Sequence, residues 1–142
     1  MSIENLQLTV ELTPQTDGRG VLHVVERNGG KTAFGMERAF WITNVPTGAV
    51  RGEHANRECT ELLVAVHGSV DVWLTDGQTE HCVRLDRPGL GLYIPPMVWC
   101  RLWNFSADAT LLCLADRSYD KSQYINDFSA YIEEIHENRA NG

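Results

Sequence analysis

Apolar residues recur at every second position through most of this chain. Leu6, Leu8, Val10 and Leu12 alternate with polar neighbours, the period of a half-buried strand. Residues 13–20 hold Pro14, Gly18 and Gly20 and read as a turn. A second strand is expected at 21–26, broken by Asn28-Gly29-Gly30, and a third at 39–45, ended by Pro46-Thr47-Gly48. Segments 61–66 and 69–74 meet at His67-Gly68, and Asp76-Gly77 is a strong hairpin signal. Runs at 82–85, 91–94, 98–105 and 110–115 complete the series, with Arg87-Pro88-Gly89 between the first two. Short strands at close, even spacing predict a sandwich or barrel over about residues 6–115. Only the C-terminus changes period. Tyr124, Ile125, Phe128, Tyr131, Ile132 and Ile135 fall on one helical face, so a helix is expected over about 121–137, capped by Asp120 or Ser122. Its apolar stripe needs a cover, either the barrel or a partner subunit.

The 142 residues suit one domain, 43% hydrophobic and 22% charged. A net charge of −7 argues against nucleic acid as partner and requires locally placed arginines for any anionic ligand. No apolar window approaches the ~18 residues of a membrane span, and the start MSIENLQLTV lacks the charged and apolar regions of a signal peptide. Cys59, Cys82, Cys100 and Cys113 form no CxxC pair. Cys82 and Cys113 lie in apolar or alternating runs and read as buried, reduced thiols, so a cytoplasmic location is expected.

Two spacings carry more information. Gly48, His54, Asn56, Glu61 and Gly68 fit the pattern G-x5-H-x-H-x3,4-E-x6-G, with Asn56 for the second histidine. Gly89, Pro95, Met97, Cys100 and Asn104 fit G-x5-P-x-G-x2-H-x3-N, with Met97 for glycine and Cys100 for histidine. These are the two motifs of the cupins, and the resemblance implies an all-β, jelly-roll barrel with a C-terminal α-helix. Alternate residues of a strand share a face, so His54 and Asn56 are expected to point inward, with Glu61 and Cys100 from neighbouring strands. One imidazole, one carboxylate, an amide and a thiol make a poor metal set, so no metal is expected.

The chain also resembles the dTDP-sugar 3,4-ketoisomerases, metal-free cupins, from about residue 6 to 135. Arg51-Gly52-Glu53-His54-Ala55-Asn56 is similar to their RGxHAH. Asp17-Gly18-Arg19-Gly20-Val21-Leu22 is similar to DxRGxL, and Arg38-Ala39-Phe40-Trp41-Ile42 to RVYYI. The run from Gly91 to Trp99 is similar to GLYIGPxVW. The stretch Leu114 to Asp120, with Tyr124-Ile125, resembles LASxYYDExDYI. The resemblance implies a homodimer, without cofactor, that moves a ketone between C4 and C3 of a dTDP-linked 4-keto-6-deoxyhexose through an enediol. It implies that His54 exchanges a proton with the sugar. Asn56 cannot do so at neutral pH, and a missing acid–base group costs about 10²–10⁴ in rate. Slow turnover is therefore expected, with Asn56 either a placed isostere, a natural residue relieved by another proton donor, or the mark of a chain that only binds.

Arg51 and Arg57 are candidates for the pyrophosphate. Arg57 stands where the family carries lysine, and Arg19 resembles its sugar-facing arginine. Cys100 occupies a position that holds His or Arg toward the sugar, and Glu61 one that holds Gln. Trp41 and Trp103 are expected either on the base or in the core. His23, His67, His81 and His136 are expected to be structural. The competing readings are a sugar-nucleotide-binding cupin without turnover, a metal-dependent oxygenase and a sugar-nucleotide 3,5-epimerase. The epimerase signature, a His-Asp pair with a tyrosine, is not readable in the sequence.

Overall fold

A computed structural model describes residues 3–4, 6–28 and 34–142; Gly29 and Gly30 lie outside them. Two five-stranded antiparallel sheets face each other. The first runs β1 (Thr9–Glu11), β9 (Leu90–Ile94), β6 (Glu61–His67), β11 (Thr110–Ala115), β4 (Arg38–Thr43). The second runs β12 (Tyr124–Ile125), β5 (Arg51–Asn56), β10 (Trp99–Trp103), β7 (Val70–Thr75), β8 (Glu80–Leu85). Leu63, Val72, Leu74, Leu92, Leu102 and Leu111 interdigitate between them as the main core, as period-two strands with one buried face require. This is the jelly-roll architecture of a cupin.

The motif glycine Gly68 turns β6 into β7 at φ +70°, and a Cβ there would sit 2.3 Å from Ser106 Oγ and 2.7 Å from Ala109 Cα. Only glycine fits such a position.

Three expectations are corrected. Residues 13–20 are not one turn: β2 (Thr13–Asp17) and β3 (Gly20–Val24) form a separate two-stranded hairpin. Its turn is just Gly18-Arg19, closed because the Asp17 carboxylate accepts from the Arg19 backbone N–H at 2.8 Å. Pro14 is tolerated because it lies in an isolated ribbon. The helix begins later than expected. Asp120 caps only a 3-10 turn, Lys121–Gln123, and Tyr124-Ile125 then pairs with β5. Helix α1 (Phe128–Asn141) starts where Asp127 accepts from Ala130 N–H at 2.9 Å. It covers the outer face of the second sheet, where Tyr131 and Ile135 pack on Ala55, Trp99 and Ile125. Finally, Cys82 is exposed on β8, whereas Cys59, Cys100 and Cys113 are buried.

Candidate active site

The inner face of β5 owes its composition to a bulge. Leu102 of β10 pairs with Arg51, Arg101 with Gly52, and Cys100 with His54, so Glu53 is an extra residue. Gly52 takes φ +78° and Glu53 φ +56° to make it. Directly opposite residues share a face, and Leu102 and Cys100 face the core. Arg51 and His54 therefore both face inward although three residues apart, a spacing that plain alternation would put on opposite faces. Asn56 follows on the same face, while Ala55 turns outward under α1.

Opposite β5, the other sheet contributes Glu61 and Arg38. Glu61 alternates with outward Leu62, and Arg38 with outward Ala39, so both point between the sheets. Glu61 is buried, and its Oε1 accepts from Asn56 Nδ2 at 3.4 Å. Burial pushes its carboxyl up to about 7; the Arg38 cation opposes this and Asp116 adds to it. Arg38 donates to the Tyr124 hydroxyl at 2.8 Å and lies over the rings of Phe40 and Tyr119. Glu61 thus reaches the site from the facing sheet rather than from a strand beside β5. Cys100, by contrast, is in register with His54.

His54 Nε2 is buried and, among the described residues, has no hydrogen-bond partner. A backbone hydrogen bond with Gly52 favours the protonated ring. Burial lowers its pKa below the ordinary imidazole value, and the Arg38 cation lowers it further, against the Gly52 bond. A buried, neutral imidazole with one ring nitrogen unengaged is the form of a general base. The edge of the pair is closed by Tyr124, whose ring lies 5.1 Å from that of His54 at 75°.

A cleft of about 770 Å³ opens here, walled by Arg38, Asn56, Cys59, Asp116, Tyr119 and Tyr124. A side pocket of about 300 Å³ continues past Tyr124 to His54. Among the described residues, no three His, Cys, Asp or Glu side chains are grouped as a metal site would need.

The remaining candidates lie as follows. Arg51 is exposed at the rim, with no ion pair or side-chain hydrogen bond among the described residues. Arg57 is taken up by the scaffold. Its Nη2 and Nε donate to Glu134 of α1 at 3.0 and 3.1 Å, and Nη1 to the Ser122 carbonyl at 2.6 Å. Arg19 stands at the tip of the β2–β3 hairpin, 91% exposed and paired with Asp17. Trp41 is 67% exposed on the outer face of β4, and Trp103 lies with Trp73 and Arg101 on the outer face of β10. Neither tryptophan is in the core or on the His54 face. His67 pairs with Asp108 at 3.2 Å. Sequence reasoning passed over Arg38 as a site residue and Tyr124 as anything but a helix-face residue. Both stood in runs quoted for the family resemblance, which was the available signal.

Facing jelly-roll sheets with His54 and Asn56 inward against Glu61 define a cupin. Within the cupins, the chain belongs to the family described as FdtA: WxcM-like, C-terminal, which matches residues 4–136. It is similar to the TDP-4-oxo-6-deoxy-alpha-D-glucose-3,4-oxoisomerase of Aneurinibacillus thermoaerophilus, 35% identical over 122 residues that cover 84% of this chain and 87% of that protein. Among solved structures, the WlaRB TDP-quinovose 3,4-ketoisomerase of Campylobacter jejuni superimposes with a TM-score of 0.84 at 33% identity, covering 92% of this chain and 99% of the other. QdtA, a sugar 3,4-ketoisomerase of Thermoanaerobacterium thermosaccharolyticum in complex with TDP, gives 0.85 at 30% identity, with 92% and 94% covered.

Proposed function

We propose that this chain is a dTDP-sugar 3,4-ketoisomerase that uses His54 as its base on a dTDP-linked 4-keto-6-deoxyhexose. The observation that carries the reading is the buried Nε2 of His54, unpartnered among the described residues, on the inner face of a barrel from this family. The C3 proton is acidic because the neighbouring C4 carbonyl can take up the electron pair. His54 removes it, the C3–H electrons form the C3=C4 bond, and the C4 oxygen takes the proton of the C3 hydroxyl, leaving the charge on the C3 oxygen. Collapse from the C3 oxygen forms the C3 ketone as the C3=C4 electrons take up a proton at C4 from an acid in the site. Arg51, unpaired at the rim, is placed to meet the pyrophosphate with two parallel N–H donors. Cys100, small and opposite His54, leaves room for the sugar.

The active form is a homodimer. The β2–β3 hairpin exposes Val21 and Leu22 by 53% and 59%, and a two-stranded ribbon is marginal without a surface to lie on. Arg19, at its tip, is accordingly assigned to the cleft of the second subunit. NMR of the purified protein with dTDP-4-keto-6-deoxyglucose tests the function. The 3-keto product is expected with the wild type and not with His54→Asn, while nucleotide affinity stays unchanged. A wild type that binds the sugar nucleotide and leaves it unaltered identifies a binding cupin instead.

A further inference from the structure

An isomerisation of this kind needs two proton transfers at carbon, and Asn56 supplies neither. The other groups near His54 are poorly placed. Glu61 lies behind Asn56 and does not line the cleft. Cys100 is wholly enclosed, and burial drives its thiol pKa far up. Lys121 borders both the cleft and the His54 pocket, but from an exposed 3-10 turn and with no hydrogen bond among the described residues that would fix its side chain against His54.

Tyr124 differs from all of these. It pairs directly with Asn56 across β12 and β5. Its successor Ile125 packs outward beneath α1, so the Tyr124 side chain emerges on the Asn56 face. It borders both the main cleft and the His54 pocket. Its hydroxyl accepts from Arg38 at 2.8 Å, which leaves the O–H hydrogen free to donate into the cleft. The same guanidinium stands ready to stabilise the phenolate once the proton has gone.

We propose that Tyr124 is the second proton-carrying residue of this site, its hydroxyl giving C4 the proton that follows His54's removal of the one at C3. This rests on the isomerase reading above. The balance closes within the site. His54 gains the C3 proton, Tyr124 loses its phenolic proton to C4, and one proton passes from the C3 oxygen to the C4 oxygen. C3 is oxidised from alcohol to ketone and C4 reduced from ketone to alcohol, with no outside electron acceptor. Imidazolium and phenolate are then left with their rings in contact, and passage of the proton from one to the other restores the starting state. Burial raises the Tyr124 pKa, with Arg38 partly opposing it, so the hydroxyl carries its proton at neutral pH.

The test is the full-length protein with dTDP-4-keto-6-deoxyglucose in D₂O, following keto migration and C3 deuterium exchange separately by NMR. The wild type should do both. Tyr124→Phe should lose migration by about 10²–10⁴-fold, yet still exchange C3–H through His54, with KM nearly unchanged. Adding Asn56→His to Tyr124→Phe should recover migration by at least about tenfold, because an imidazole returns beside the missing hydroxyl. Migration by Tyr124→Phe within about threefold of wild type would overturn the proposal, well short of a lost acid–base group. So would loss of exchange together with migration, which would mark Tyr124 as holding the site's shape only. A wild type showing neither signal defeats the isomerase reading itself, and the Tyr124 assignment with it.

Discussion

Glu61 is a carboxyl group held where a carboxylate is costly. Its folded-state value of about 7 stands above the 4.5 of an unperturbed glutamate. The folded protein therefore binds this proton more tightly than the unfolded chain does. The associated stability is fully present below pH 4.5 and is lost as pH rises to about 7. At about 1.4 kcal/mol for each pH unit, the loss is about 3 kcal/mol. Glu61→Gln keeps an acceptor for Asn56 and removes the titration. Relative to wild type, the variant should gain about 3 kcal/mol between about pH 4 and pH 8 in denaturant melts. His54 works in the opposite sense. Its lowered pKa keeps it neutral into mildly acid solution, burial being the main cause and the Arg38 cation acting in the same direction, with Tyr124 and Lys121 also facing it. The acidic limb of the kcat/KM profile should accordingly fall below pH 6.5, the ordinary imidazole value. A limb at or above it would mean that His54 is more solvated, or closer to an anion, than the fold shows. The motif spacing was enough to find His54, Asn56 and Glu61 in the sequence. Arg38 and Tyr124 were not legible there as site residues, because each joins the site through a contact more than eighty positions away in sequence.

The elements show the same division between what local pattern determines and what distant contacts decide. Alternation located the barrel strands because each has one face in a single core. It failed at Thr13–Asp17, where the burial pattern is exposed throughout and proline with two glycines imitates a loop. It failed again at Tyr124-Ile125, which fit a helical stripe but pair with β5. The β5 bulge has no composition signal beyond Gly52, since Glu53 takes a left-handed conformation that its residue type does not advertise. Arg57 appeared as a free cation for the same reason: Glu134, 77 positions away, could not be placed in advance. That pair ties the end of β5 to α1 with side chains 38% and 28% exposed. Arg57→Ala should lower stability by about 1–2 kcal/mol, measured by urea denaturation, and change nucleotide affinity little. A tenfold loss of affinity (about 1.4 kcal/mol) without loss of stability would instead return Arg57 to the ligand.

At the scale of the whole molecule, the apolar surface left uncovered decides the assembly. Val21, Leu22, Met36 and Trp41 are exposed by 53%, 59%, 48% and 67%. The first two lie on a hairpin hydrogen-bonded to neither main sheet, and Trp41 lies on β4, a strand at the open edge of the first sheet. A ribbon with an exposed apolar side chain on each face and a sheet edge with an exposed tryptophan are the features that association covers. A chain of 15.9 kDa should therefore sediment at twice that mass at micromolar concentration. Placing a charge on this ribbon, as in Leu22→Asp, desolvates a carboxylate at any interface it enters. That variant should sediment as the monomer while keeping the strand-rich circular dichroism of the barrel, whose core it does not touch. With Arg19 assigned to the cleft of the second subunit, as proposed above, the monomer should also isomerise more slowly through weaker sugar binding. His54 and Tyr124 remain in place in each chain, so C3 exchange and keto migration should slow together. A Leu22→Asp protein that stays dimeric and fully active would move the interface off the hairpin and take Arg19 out of the site.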